Sequence, residues 1–162
     1  QNLSKEKTLH FVSGAFGDRA YKFAVNASRE ALKVEPREDN TFSLLNVPNN
    51  FTPEVVFVTQ NETSNGHTVP RSFILEIRKK FPNSIIVCDV VSSAPVCDIP
   101  VEEVDLVFFS IQKACLFPYM IITVLNITTS FIIAYNSLHS PIYAYRLCIL
   151  NCLSCKIVLN LN

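Results

Sequence analysis

The chain has 162 residues, enough for one domain with a real hydrophobic core. Its 14 Lys and Arg balance its 14 Asp and Glu, so no basic field points to nucleic acid and no acidic tail is present. Apolar residues make up 49% and mean hydropathy is +0.26, while the 3 glycines are few for an α/β protein with phosphate-binding turns.

The six cysteines, Cys88, Cys97, Cys115, Cys148, Cys152 and Cys155, are not spread like a secreted disulfide framework. The stretch Gln1 to Lys7 has no apolar signal region. A reducing, cytoplasmic location is expected, with an organellar one left open. The glycosylation-type triplets at Asn26, Asn50, Asn61 and Asn126 then read as chance.

Thr8 to Val12 reads as a short strand, and Ser13-Gly14-Ala15-Phe16-Gly17 as a turn with Asp18 as helix cap. Ala20, Phe23, Ala24, Ala27 and Ala31 form a helical stripe that ends somewhere between Asn26 and Lys33. Leu32 to Glu35 is alternatively a short strand. Val55 to Thr59 is a clear strand, and a polar turn follows from Asn61 to Gly66. Pro70 opens a helix with Phe73, Ile74, Ile77 and Phe81 on one face, and Pro82 ends it. Ile85 to Cys88 and Leu106 to Phe109 have the length and β-branched or aromatic content of strands buried on both faces. Strands alternating with helices predict an α/β fold with a mostly parallel sheet and helices on its faces.

Open parallel sheets bind ligands outside the carboxyl ends of their strands. Phe16, Thr63, Asp89 and Lys113 each follow a predicted strand by a few positions, so they are expected at one edge. An acid and a lysine there suit pyridoxal 5'-phosphate (PLP). The lysine bonds to the aldehyde and the acid pairs with the ring nitrogen. Phe16 is placed to stack on the ring and Thr63 to donate a hydroxyl hydrogen bond.

Three stretches carry a family resemblance. Asp89-Val90-Val91-Ser92-Ser93, followed by Ser110-Ile111-Gln112-Lys113-Ala114-Cys115-Leu116-Phe117-Pro118, resembles the cofactor segment of class V PLP-dependent aminotransferases. Thr59 to Gly66 is similar to that family's Asn-Glu-Thr or Glu-Ser-Ser turn, and Gly14 to Arg19 to its aromatic turn before a helix. The resemblance implies part of the large domain of a fold-type I PLP enzyme. It implies cofactor contacts from Phe16, Thr63, Asp89, Gln112 and Lys113, with Lys113 catalytic and no metal. It implies transamination between a small amino acid (phosphoserine, serine or alanine) and a 2-oxo acid (2-oxoglutarate or glyoxylate), in a homodimeric parent. The Asn-Glu-Thr turn resembles phosphoserine aminotransferases, and the Gly-Ala-Phe-Gly-Asp-Arg turn alanine–glyoxylate and serine–glyoxylate aminotransferases. The family's earlier phosphate-gripping turn and its carboxylate-binding arginine have no counterpart, so this chain is expected to be inactive alone.

The resemblance spans about Thr8 to Pro118, which divides the chain into a PLP-binding part, residues 1–118, and an apolar tail, residues 119–162. Every Asp and Glu lies at or before Asp105, and the tail's strong charges are Arg146 and Lys156. No helical or alternating period persists there. Tyr119 to Leu138 is long enough to span a bilayer, but Asn126, Thr128, Thr129, Ser130 and Asn136 argue against a span. Cys148, Cys152 and Cys155 have iron–sulfur spacing without the glycine-rich loop that such a site uses. His10 and His67 lack metal partners at ligand spacing and read as structural. The rival functional readings are a non-catalytic fragment and a small membrane-associated protein. The tail itself reads as translated intron or shifted frame. A spliced transcript joining Pro118 to a Gly-rich continuation is the expected finding; stable protein inserted in a membrane in one orientation by this tail would overturn it.

Overall fold

The structure is a computed structural model that describes residues 3–94, 96–110, 120–127, 130–137 and 147–151. Gln112 and Lys113 lie outside the described residues, as do Cys115, Cys152 and Cys155. The elements in chain order are β1 (Lys7–Phe11), α1 (Ala15–Asn26), β2 (Glu30–Val34), β3 (Val55–Thr59), β4 (Asn61–Glu62), β5 (His67–Thr68), α2 (Arg71–Lys80), β6 (Ile85–Asp89), β7 (Leu106–Ser110), β8 (Met120–Ile127), β9 (Ser130–Ser137) and β10 (Leu147–Asn151).

The main sheet has eight strands in the order β10-β9-β8-β7-β6-β3-β1-β2. Strands β2, β1, β3, β6 and β7 run parallel, and β8, β9 and β10 add antiparallel pairs. The chain moves one way along the sheet from β1 to β2 and the other way from β3 to β6. Crossovers of one hand then put α1 and α2 on opposite faces. The order reverses between β1 and β3, so a crevice is expected outside the carboxyl ends of those two strands.

Alternation along the strands sorts the faces. Leu9, Phe11, Val56, Val58, Ile86 and Cys88 join Phe73, Ile74 and Ile77 of α2 in the main core. Pro70 precedes α2, and Arg78, Lys79 and Lys80 occupy its last turn, where cations suit the negative end of the helix. Arg78 ties the helix to the sheet. It donates to the backbone oxygens of Glu103 (3.0 Å) and Ser84 (2.9 Å) and to the Asp105 carboxylate, which also accepts the Ile86 amide at 2.7 Å.

The other face carries Thr8, His10, Val55, Phe57 and Val87, and α1 covers it loosely. A cavity of about 440 Å³ lies there, lined by Ala20, Phe23 and Ala24 against Val55, Phe57 and Val87. Phe23 is 67% exposed and Gly17 is the buried residue of α1. His10 is held between Tyr21 and Phe57, with ring centroids at 5.8 and 5.7 Å, and burial lowers its pKa to about 4.

Two local expectations are corrected. The first helix begins at Ala15 with Gly14 in the cap position, so Asp18 is not the cap. Asp18 instead pairs with Lys22 (2.6 Å) and Lys33 (3.2 Å). Ala31 belongs to β2 rather than to a helical stripe, because Ser28 takes a left-handed conformation (φ 57°) and ends the helical path. In residues 120–127, 130–137 and 147–151, strands form without an alternating pattern. Their Ile, Val and Thr content favours extended backbone whatever the period. Among the described residues no helix is long and apolar enough to cross a membrane, and no group of His, Cys, Asp and Glu is arranged to hold a metal ion.

The unequal covering of the two faces predicts unequal mutational costs. Ile77→Ala, at a fully buried core position, should cost roughly 2–5 kcal/mol in chemical denaturation. Phe23→Ala on the loosely covered face should cost less than about 1 kcal/mol.

Candidate functional site

The parallel strands end together. β1 leads into Val12, Ser13 and Gly14; β3 leads into Gln60 and the β4–β5 hairpin; β6 ends at Asp89, and β7 at Ser110. Thr59 pairs with Asp89, and Asp89 with Phe108, so the β3, β6 and β7 ends are neighbours. Phe16 in the first turn of α1, Thr63 in the β4–β5 turn and Asp89 at the end of β6 therefore sit at one edge. Gln112 and Lys113 follow the end of β7 by two and three positions, beyond the described residues.

Asp89 is half-buried, and its Oδ1 accepts the Val91 amide at 2.9 Å. No basic side chain pairs with it among the described residues. Burial, with the nearby Glu62 charge adding to it and the Val91 hydrogen bond opposing, raises its pKa to about 6. An isolated acid in such a place favours a cationic or proton-bearing ligand atom.

Phe16 lies in the first turn of α1, 46% exposed, with the Arg19 guanidinium 5.8 Å from its ring centroid. Thr63 is exposed in the turn between β4 and β5, where Gly66 adopts φ 77° and its amide closes onto the Glu62 carbonyl at 2.9 Å.

Sequence reasoning missed Glu62, the best-connected side chain of this edge. It is fully buried. Its Oε2 accepts the amides of Phe16 (2.9 Å) and Gly17 (3.0 Å), and its Oε1 accepts the Ser64 amide (3.2 Å) and hydroxyl (2.6 Å). The Ser64 hydroxyl also accepts the Ala15 amide at 2.9 Å. Burial alone would raise the Glu62 pKa, but the hydrogen bonds from Ser64, Gly17 and Phe16 outweigh it and hold the pKa below the usual value. Gly14 permits the approach: a Cβ there would stand 2.6 Å from Glu62 Cγ and would also strike Ser64 Oγ. The signal available in the sequence was an acid inside a polar turn directly after a strand, which by itself reads as solvated.

Other polar atoms at this edge, Ser13 Oγ, Thr59 Oγ1 and Gln60 Oε1, are buried without a partner among the described residues. Such atoms are costly to leave unsatisfied and fit a polar ligand at the strand ends. With Asp89, which has no basic partner among the described residues, they suit a ligand that carries a proton-bearing atom and oxygen substituents.

The chain is similar to a phosphoserine aminotransferase from Cytophaga hutchinsonii, with 36% identity and a TM-score of 0.65 over 72% of this chain and 32% of that one. The fold is the one the aminotransferases share. An alanine–glyoxylate aminotransferase from Nostoc sp. matches at 23% identity and TM-score 0.59, covering 68% of this chain and 31% of that one. An aspartate aminotransferase of subgroup IV from Thermus thermophilus matches at 23% identity and TM-score 0.56, covering 70% and 33%. The chain thus spans about a third of the length of each of these aminotransferases. No protein-family model and no curated protein matches it.

Two buried groups give opposite pH dependences. The raised Asp89 pKa means that the folded chain binds a proton more readily than the unfolded one. Its penalty is absent below about pH 4 and complete above about pH 6. The lowered His10 pKa contributes stability that is present above about pH 6.5 and is lost as pH falls through about 4. Asp89→Asn should therefore raise stability at pH 7 by roughly 1–3 kcal/mol over the parent, with the gain vanishing near pH 4. Denaturant titrations of both proteins across that window check it; an equal gain at every pH would contradict the role given to burial.

Proposed function

We propose that the chain is part of a class V, PLP-dependent transaminase that moves an amino group between a small amino acid and a 2-oxo acid. The reading rests on one observation above all. Asp89 stands at the end of β6 as a half-buried carboxylate without a basic partner among the described residues, and its pKa is raised to about 6. Such a group holds a proton at a pyridine nitrogen and gains a counter-ion in doing so.

The remaining roles follow from chemistry. Lys113 would hold the cofactor through its side-chain amine at the aldehyde carbon, the aldehyde oxygen leaving as water, and once displaced by the substrate's amine it would be free to take and return the substrate's α-proton. Phe16 offers a half-exposed aromatic face to the ring. Thr63 and Gln112 provide hydrogen bonds to its oxygen substituents. Bound there, the cofactor supplies an electron sink for the pair left when the α-proton departs. Asp89 keeps that sink effective by holding the ring proton.

Among substrates, phosphoserine with 2-oxoglutarate is favoured. The 36% identical neighbour is a phosphoserine aminotransferase, and the Asn61-Glu62-Thr63 turn carries the same resemblance. Serine or alanine with glyoxylate is the alternative drawn from the Gly14 to Arg19 turn. The working enzyme is a homodimer of a longer parent in a cytoplasmic or organellar compartment. In this reading residues 119–162 fall outside the aminotransferase unit, because the motifs that carry the resemblance end at Pro118 and every Asp and Glu lies before that point. In this reading the chain by itself takes up the cofactor without turning substrate over, because the resemblance supplies neither the phosphate-gripping turn nor the carboxylate-binding arginine.

The full chain incubated with PLP and then borohydride should retain one reduced adduct, and peptide mapping should place it on Lys113. Lys113→Ala should abolish it. Equal labelling of Lys79 or Lys80 would reduce the chemistry to surface reaction and overturn the assignment.

A further inference from the structure

The Asn61-Glu62-Thr63 turn contains two residues that the proposed chemistry does not use. Glu62 reaches from β4 to the start of α1 and accepts the amides of Phe16 and Gly17. Asn61 reaches the other way. Its Nδ2 donates to Ser92 Oγ at 3.1 Å, and the Ser92 hydroxyl donates back to the Asn61 carbonyl at 2.8 Å. Thr68 Oγ1 donates to Asn61 Oδ1 at 3.1 Å, which fixes the amide's orientation. Ser92 lies three residues beyond Asp89 in the loop whose Val91 amide orients the Asp89 carboxylate.

We propose that Asn61 and Glu62 are positioning residues that fasten the Phe16 turn and the Asp89 loop to the two sides of the β4–β5 hairpin, which itself carries Thr63. This rests on the transaminase reading for its purpose, though the fastening is a property of the chain by itself. Placement explains why the work falls on this hairpin. The sheet order reverses between β1 and β3, so the loops after them diverge toward opposite faces and have no ladder to hold them together. A buried carboxylate taking four donors fills that gap. It also satisfies the first amides of α1, which lack a local side-chain cap. On the other side, β3 and β6 are paired up to Thr59 and Asp89, and the Asn61–Ser92 hydrogen bonds continue the connection past the end of the ladder.

The test uses the full chain with two substitutions and two measurements. Glu62→Gln keeps the side-chain shape but removes the charge and one acceptor oxygen. Ser92→Ala removes both hydrogen bonds to Asn61 at a partly exposed position, so it carries the test if the first variant fails to fold. Amide hydrogen exchange without cofactor should rise about tenfold or more at Phe16 and Gly17 in Glu62→Gln, and at Val91 in Ser92→Ala. The PLP concentration for half-maximal borohydride-fixed labelling of Lys113 should rise about tenfold in each folded variant. Glu62→Asp, which restores the charge, should recover part of both effects. Unchanged exchange at those amides overturns the fastening. Lost protection with unchanged PLP labelling overturns the positioning role. A parent chain that takes no reducible PLP overturns the transaminase reading instead, and the exchange measurements still decide the fastening.

Discussion

A carboxylate shut away from solvent has to find donors in the protein, and the Glu62 carboxylate finds them on its own hairpin after β3 and at the start of α1 after β1. Its oxygens collect the amides of Phe16, Gly17 and Ser64 and the hydroxyl of Ser64. Removing the acceptors would strand the buried Gly17 amide, at roughly 1–3 kcal/mol, and the more exposed Phe16 and Ser64 amides at less. The arrangement constrains its neighbours. Gly14 has no space for a side chain, and Ser64 needs a hydroxyl that can donate to Glu62 and accept from Ala15 at once. The helix start, the turn after β3 and the glycine between them are thus one physical unit, although some fifty positions separate them in the chain.

That unit shapes the electrostatics of the strand ends. The positive end of α1 is satisfied internally by Glu62, so it is not free for a ligand's anionic group. The same negative charge adds to burial in raising the pKa of Asp89. Among the described residues Asp89 has no counter-ion, and a proton-bearing ligand atom beside it would relieve both influences. Burial of Asp89 costs the fold stability above about pH 6, and a cation or proton donor beside the carboxylate would offset that cost.

The two faces of the sheet differ in the same direction. On the α2 side, Phe73, Ile74 and Ile77 complete a closed core, and Arg78 anchors the helix to backbone carbonyls and to Asp105. On the α1 side, Phe23 stands mostly in solvent over a cavity above Val55, Phe57 and Val87. Gly17 can pack close, 3.3 Å from a hypothetical Cβ to Val12 Cα, so α1 is drawn tight at its start and stays loose toward its end. The tight end is the one that carries Phe16.

Sequence by itself determined the elements whose signals are local. Val55 to Thr59 is a strand because five consecutive residues favour extended backbone, and α2 is bounded by Pro70 and Pro82 with its apolar face at helical spacing. The parallel sheet followed from the alternation of these elements, and the gathering of Phe16, Thr63 and Asp89 at one edge followed from the sheet. Tertiary structure alone decided the rest. Asp18 looked like a cap because cap signals are read from adjacent residues, whereas the amides of α1 are satisfied by Glu62 and Ser64 from another loop. Ala31 continued a helical stripe on paper, but pairing with Thr8 holds it in β2. Glu62 could not be distinguished from a solvated turn acid, since burial depends on what the fold brings against it. Local pattern fixes backbone propensity and strand ends; which charges lose their water is set by distant segments meeting in space.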